Sequence, residues 1–255
     1  MKKNNTLWLI VILISTYSYA QLKPKQYKDE DQILNGFQIT PSKAKKQKPG
    51  ILILPAWKGI DQLSKDTAKR LSDIGYYAFV ADIYGQGNYP KDYNEAGERS
   101  GFYKKNYTQY QKRIRLALDQ LVKSGANPDE IVVIGYCFGG TGALETARGH
   151  IPVKGVVSFH GGLGKDSERI TKDLTAKILV CHGADDPYES SEEIFSFQKE
   201  MKDANADWQM IYYANAVHSF TNPESGNDNS KGAAYNEKAA QRSWEHLLIF
   251  LKEIL

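Results

Sequence analysis

From residue 51 onward, short apolar bursts alternate with stretches whose apolar residues recur at helical spacing. Ile51 to Leu54 is the first burst, Leu63, Thr67, Leu71 and Ile74 then share one helix face, and Tyr77 to Ala81 is the next burst. A short apolar run bounded by turn residues reads as a buried strand, and a repeat of three to four residues reads as an amphipathic helix. The series continues with a helix carrying Ile114, Leu118, Leu121 and Val122 that ends near Gly125, a strand at Ile131 to Ile134, and a helix starting in the small residues after Gly139. Strands follow at Val153 to Phe159 and Lys177 to Cys181, then a helix from about Glu189 to Met201, a strand Trp208 to Tyr213, and a closing helix from about Ala234 to Ile254. Strands that are apolar on both faces and alternate with helices predict an α/β fold, a doubly wound, mostly parallel sheet with helices on both faces. Residues 22 to 50 are polar and lysine-rich, with one strand at Phe37 to Thr40 and a loop through Lys43 to Gly50, and read as an edge and a lead-in.

The first twenty residues break this pattern. Lys2 and Lys3 make a short positive start, Leu7 to Ile14 is apolar, and Ser18-Tyr19-Ala20 puts small residues where a signal peptidase needs them. A membrane span wants about 20 apolar residues, and Ser15, Thr16 and Ser18 cut this run short. Residues 1–20 are therefore expected to be a signal peptide cleaved before Gln21, leaving an exported chain, periplasmic or secreted, with no stable membrane span. No repeat or low-complexity linker interrupts residues 21–255, which are expected to form one domain, as a monomer or homodimer. Two long loops stand out: 83 to 108, with five tyrosines, and 221 to 233, rich in Asn, Gly and Ser. The first reads either as a cover over a substrate pocket or as a solvated excursion.

Composition narrows the function. With 255 residues, 25% charged and 41% hydrophobic, the chain is neither disordered nor fibrous. Its net charge of +3 falls to +1 without Lys2 and Lys3, which removes the electrostatic case for a nucleic-acid partner. Two cysteines, Cys137 and Cys181, supply neither a disulfide framework nor zinc-site spacing, so no metal is expected.

The chemistry concentrates where strand 131 to 134 runs into Gly135-Tyr136-Cys137-Phe138-Gly139-Gly140. A nucleophile on a sharp strand-to-helix turn sits in strained backbone, and the residues two positions either side must lack a Cβ for strand and helix to approach. The helix N-terminus also favours thiolate. Such an elbow calls for an acid and then a histidine, each in a loop after a strand. Strand 177 to 181 leads into His182-Gly183-Ala184-Asp185-Asp186-Pro187, and strand 208 to 213 into Ala214-Asn215-Ala216-Val217-His218. Asp186 is preferred over Asp185 as the fourth residue of the G-x-x-D turn. Of five histidines, only His218 lies between the last strand and the final helix. His160 borders the pocket or is structural, His182 is packed at the acid turn, and Cys181 is a packed apolar residue.

From about Gly50 to the C-terminus the chain resembles the dienelactone hydrolase family of α/β hydrolases. The carrying residues are Gly-Tyr-Cys-Phe-Gly-Gly at 135 to 140, Gly-Ala-Asp-Asp-Pro at 183 to 187, His-Ser-Phe at 218 to 220, and the segment from Ile51 to Gly87. The resemblance implies an α/β-hydrolase fold and a hydrolase of carboxylic esters or lactones that needs no cofactor. Cys137 would attack the carbonyl to form a thioester, His218 would move protons, and Asp186 would orient the imidazole. The backbone N–H groups of Phe138 and Trp57 would hold the oxyanion, with Ala56, Tyr84, Gln86, His160 and Ser219 around the substrate.

The chain departs from the family it resembles at three places. Ala56 stands where the archetype has a glutamate, and Gln86 and Asn222 stand where it has carboxylate-gripping arginines. An amide cannot replace a bidentate guanidinium clamp, so a neutral or weakly polar ester, aromatic or sugar-linked, is favoured over dienelactone itself. Without the glutamate, the resting thiol is expected to be close to a thiolate–imidazolium pair with His218. Two other functions compete: acyl transfer or phosphoester cleavage at the same site, and a non-catalytic thiol-sensing or binding role.

Overall fold

The computed structural model describes residues 20–255, so the expected leader up to Tyr19 lies outside the described residues. Strands β1 (Lys23–Asp29) and β2 (Gln32–Ile39) form an antiparallel hairpin, followed by β3 (Gly50–Leu54), β4 (Tyr77–Val80), β5 (Ile131–Tyr136), β6 (Gly155–Phe159), β7 (Lys177–Gly183) and β8 (Trp208–Tyr213). They build one sheet in the order β1-β2-β4-β3-β5-β6-β7-β8. The hairpin joins β4 antiparallel, and every pair from β4 to β8 is parallel. The expected α/β architecture is borne out.

Helices α1 (Gln62–Asp73), α2 (Tyr93–Lys105), α3 (Tyr107–Lys123), α4 (Phe138–Arg148), α5 (Ser191–Asp203) and α6 (Glu237–Ile254) cover both faces. Successive strand residues point to opposite sides, and β3 shows the consequence. Ile51 and Ile53 pack in one apolar layer with Leu71 of α1 and Leu247 of α6. Leu52 and Leu54 pack in the other with Ile114 of α3 and Leu144 of α4. Two covered faces explain why the central strands are apolar throughout. Among the described residues, no helix is long and apolar enough to cross a membrane.

Two segments differ from expectation. Of the β1–β2 hairpin the sequence pattern picked out only Phe37 to Ile39, the end of β2, and β1 escaped because it is a lysine-bearing edge strand that buries only Tyr27 and Asp29; charge is the usual guard of such an edge. The tyrosine-rich stretch 83 to 108 is not a loop throughout, since it contains α2. That helix is capped by Asp92, whose side chain accepts from the Glu95 N–H, and it buries only Ala96, Ser100 and Tyr103. With one large side chain, Tyr103, beside Ala96 and Ser100, that face offers no apolar repeat to detect.

A buried ion network ties α4 to α5. Arg148 reaches both carboxylate oxygens of Glu200, at 3.0 and 2.7 Å, and Glu145 at 3.2 Å. Its Nη2 also donates to the Leu163 carbonyl at 2.7 Å. Removing one charge from a buried, hydrogen-bonded set strands the other. Glu200→Gln is therefore expected to cost about 3–5 kcal/mol, read in equilibrium denaturation as a lower midpoint at unchanged slope.

Candidate active site

The carboxyl ends of β3 to β8 open onto one rim, where open α/β sheets carry their sites. At the end of β5 stands Cys137, the residue before α4, with φ 54° and ψ −116°. A non-glycine residue at positive φ is strained by roughly 1–3 kcal/mol and persists only where its surroundings over-determine it. Here they do. A Cβ on Gly135 would meet the Gly139 carbonyl oxygen at 1.9 Å, and one on Gly139 would meet the Leu54 carbonyl oxygen at 2.0 Å. All eleven residues of α4 are buried. The Cys137 N–H donates to the Phe159 carbonyl at 3.0 Å and to His160 Nδ1 at 3.2 Å, which ties the elbow to the end of β6.

Asp186 and His218 come to the same place from β7 and β8. His218 Nδ1 lies 2.9 Å from Asp186 Oδ2, whose side chain is fully buried. Asp186 Oδ1 accepts from the Tyr188 N–H at 3.0 Å. Asp185, by contrast, is exposed. The loop 221 to 233 holds the histidine: the His218 N–H donates to the Gly232 carbonyl, and its own carbonyl accepts from the Ala234 N–H. Short 3-10 turns capped by the Asn222 and Asp228 side chains stiffen that loop.

Electrostatics couple the three residues. Burial pushes the Cys137 thiol up, but its hydrogen bond to His218 and that residue's charge, aided by the Phe138 N–H and Lys104, bring it below its ordinary value. Burial pushes His218 down, and the hydrogen bonds to Asp186 and Cys137 outweigh it, so the imidazole is raised to about 10. Both shifts favour a resting thiolate–imidazolium pair. His160 behaves oppositely. It is buried, its Nε2 lies 2.8 Å from Thr221 Oγ1, and burial together with nearby His218 holds it neutral. Because Nδ1 accepts from Cys137, Nε2 carries the proton and donates to Thr221.

The remaining expected residues separate. Phe138 is the first residue of α4, and its ring lies between Tyr110 (4.5 Å, nearly parallel) and Tyr84 (5.8 Å). The Tyr84 hydroxyl donates to the Trp57 carbonyl at 2.6 Å, which fastens the loop holding half-buried Ala56 and Trp57. Ser219 is half-buried in the turn after His218, at φ 58°. Gln86 is not drawn in: it is exposed, and its contacts run to Gln32, Ile33 and Asn35 of the hairpin. Cys137 and Cys181 are both free. Strand β6 lies between their strands, with Tyr136, Phe159 and Cys181 in register, so two inter-strand steps of about 4.8 Å each exceed disulfide reach.

Sequence reasoning missed several neighbours. Tyr110, on α3, donates its hydroxyl to the Phe138 carbonyl at 3.0 Å. Tyr188, beside the acid turn, sets its ring perpendicular to His218 at 5.3 Å. Glu189 accepts from the Leu163 N–H, and burial lifts its carboxyl to about 7. Among the described residues, no cluster of three His, Cys, Asp or Glu could hold a metal ion.

Known proteins resemble this chain in sequence and fold. The model of the dienelactone hydrolase family matches residues 34–255. A Bradyrhizobium protein named "Probable 2-oxo-3-(5-oxofuran-2-ylidene)propanoate lactonase" is 28% identical over 214 residues, 80% of this chain and 83% of its own. A Caenorhabditis elegans protein of uncharacterized function is 38% identical over 122 residues, 47% of this chain and 77% of its own. The solved structure of a dienelactone hydrolase-like promiscuous phosphotriesterase from metagenomic libraries superposes with a TM-score of 0.86 at 30% identity, covering 93% of this chain and 99% of that one.

The ion pair makes a test. Alkylation of Cys137 by iodoacetamide, followed against pH, should show a midpoint below the ordinary thiol value. In His218→Ala the midpoint should rise, because the cation that favours thiolate is gone. An unchanged midpoint in that variant would sink the ion-pair assignment.

Proposed function

The chain belongs to the dienelactone hydrolase family, and from that premise we propose that it hydrolyses a small carboxylic ester or lactone through a thioester on Cys137. The observation that carries the reading is the thiol at a positive-φ elbow on the same rim as His218, whose Nδ1 lies 2.9 Å from buried Asp186. In the proposed path the Cys137 thiolate attacks the carbonyl carbon, and the oxyanion accepts hydrogen bonds from the Phe138 and Trp57 N–H groups. As the intermediate collapses, the C–O bond breaks and the leaving alkoxide takes the proton from His218. His218 then removes a proton from water, and the hydroxide attacks the thioester. The carboxylic acid leaves and the thiolate returns. Asp186 keeps the imidazole in one tautomer and balances its charge.

Substrate class follows from what the rim lacks. Gln86 is exposed and held by the hairpin, and the Asn222 side chain is occupied in capping a turn. Neither forms a cationic clamp, which supports a neutral or weakly polar ester. Residues 1–20 support export, with cleavage before Gln21. A second reading, cleavage of a phosphotriester by the same thiol, is favoured by the likeness to the metagenomic phosphotriesterase.

Protein beginning at Gln21, assayed under reducing conditions with p-nitrophenyl esters, lactones and paraoxon, separates these readings. Ester turnover should vanish in Cys137→Ala, and Asp186→Asn should lower kcat by about a thousandfold or more. Rapid acid quench should trap an acyl group on Cys137 by mass. Turnover of paraoxon alone would favour the second reading, and full ester activity in Cys137→Ala would refute both.

A further inference from the structure

We infer that the cleft between α2, α3 and the loop after β4 is a second binding site, shaped for a small aromatic carboxylate. The cleft has a volume of about 250 Å³ and does not include Cys137. Tyr84, Phe102 and Tyr103 supply apolar walls, and Glu98, Arg99 and Arg113 supply the charges.

Arg113 is the reason to expect a ligand there. It is 6% exposed, and its Nε lies 2.9 Å from Asp29 Oδ2. Asp29 is shared, however, because its Oδ1 lies 2.7 Å from Lys112 Nζ. One carboxylate thus serves two cations. Despite that proximity, Arg113 Nε and Nη1 are both buried with no hydrogen-bond partner, a costly condition for a guanidinium. Arg99, exposed on α2, adds a second cation at the same cleft. Guanidinium groups match carboxylates in shape as well as charge.

The walls choose the rest of the ligand. Tyr103 lies 5.9 Å from Tyr84 and perpendicular to Phe102 at 5.3 Å, and Phe102 is 52% exposed. Rings so arranged accept a flat apolar body edge-on or face-on. Glu98 opposes a multiply charged anion, so a monocarboxylate is preferred over phosphate. Tyr84 is a wall shared with the thiol's surroundings, since its ring also stacks on Phe138.

Calorimetry with benzoate as the probe, on the Cys137→Ala protein, tests this without reading turnover, so failure of the hydrolase assignment leaves the result standing. One site of micromolar to millimolar affinity is expected, weakened about tenfold or more in Arg99→Gln and lost in Arg113→Met. Should Arg113→Met fail to fold, Phe102→Ala, at an exposed position, replaces it and should also weaken binding. Binding to wild-type protein should survive alkylation of Cys137 by iodoacetamide. No binding of benzoate at about 10 mM, equal affinity in the variants, equal affinity for inorganic phosphate, or loss on alkylation would each overturn the proposal.

Discussion

A strand and a helix that meet at the distance of bare backbone set the terms for everything else in this protein. Gly135 and Gly139 lie so close, and Gly139 lies so close to the end of β3, that no side chain fits at either. That contact forces Cys137 into a left-handed backbone, which lifts its thiol above the sheet edge and opens α4 beside it. The strain is tolerable because α4 is buried along its whole length, so relaxing one residue would unpack a helix. Precision at the thiol is borrowed from the core.

Around that thiol the protein maintains two imidazoles in opposite states, with ring centroids 5.2 Å apart. His218 is biased toward its protonated form by Asp186 and Cys137. His160 is neutral because it is fully enclosed, its neighbour is already cationic, and its acceptor nitrogen is occupied by the Cys137 N–H. Two adjacent cations in a poorly solvated place would repel strongly. Hydrogen bonding thus assigns one ring to proton transfer in the proposed reaction and the other to positioning the elbow's backbone.

The opposite flank is aromatic. Tyr110, Phe138 and Tyr84 stack in sequence, and Tyr103 closes the row from α2. Two hydroxyls in this row are tied to backbone carbonyls, Tyr110 to Phe138 and Tyr84 to Trp57. Flat rings with one polar tip fill volume and still satisfy a buried acceptor. This layer connects α2 and α3 to the site and accounts for Tyr84, Tyr103 and Tyr110 among the tyrosines between residues 84 and 110.

What the sequence determined on its own is local in origin. Apolar bursts of strand length, helical repeats at Leu63 to Ile74 and Ile114 to Val122, and glycines two positions either side of Cys137 each express a constraint felt within a few residues. The chain order Cys137, Asp186, His218 was legible because each follows a strand, and parallel strands deliver their ends to one rim. Tertiary structure decided the rest. Asp186, preferred already from its place in the turn, is buried and bonded to a residue 32 positions away, whereas Asp185 is exposed. The hairpin's first strand and α2 were hidden because they bury polar and small side chains, which leave no hydrophobic period. The roles of His160, Tyr110 and Arg113 depend on partners distant along the chain. Such pairings follow from how the layers pack, and spacing along the chain does not encode them.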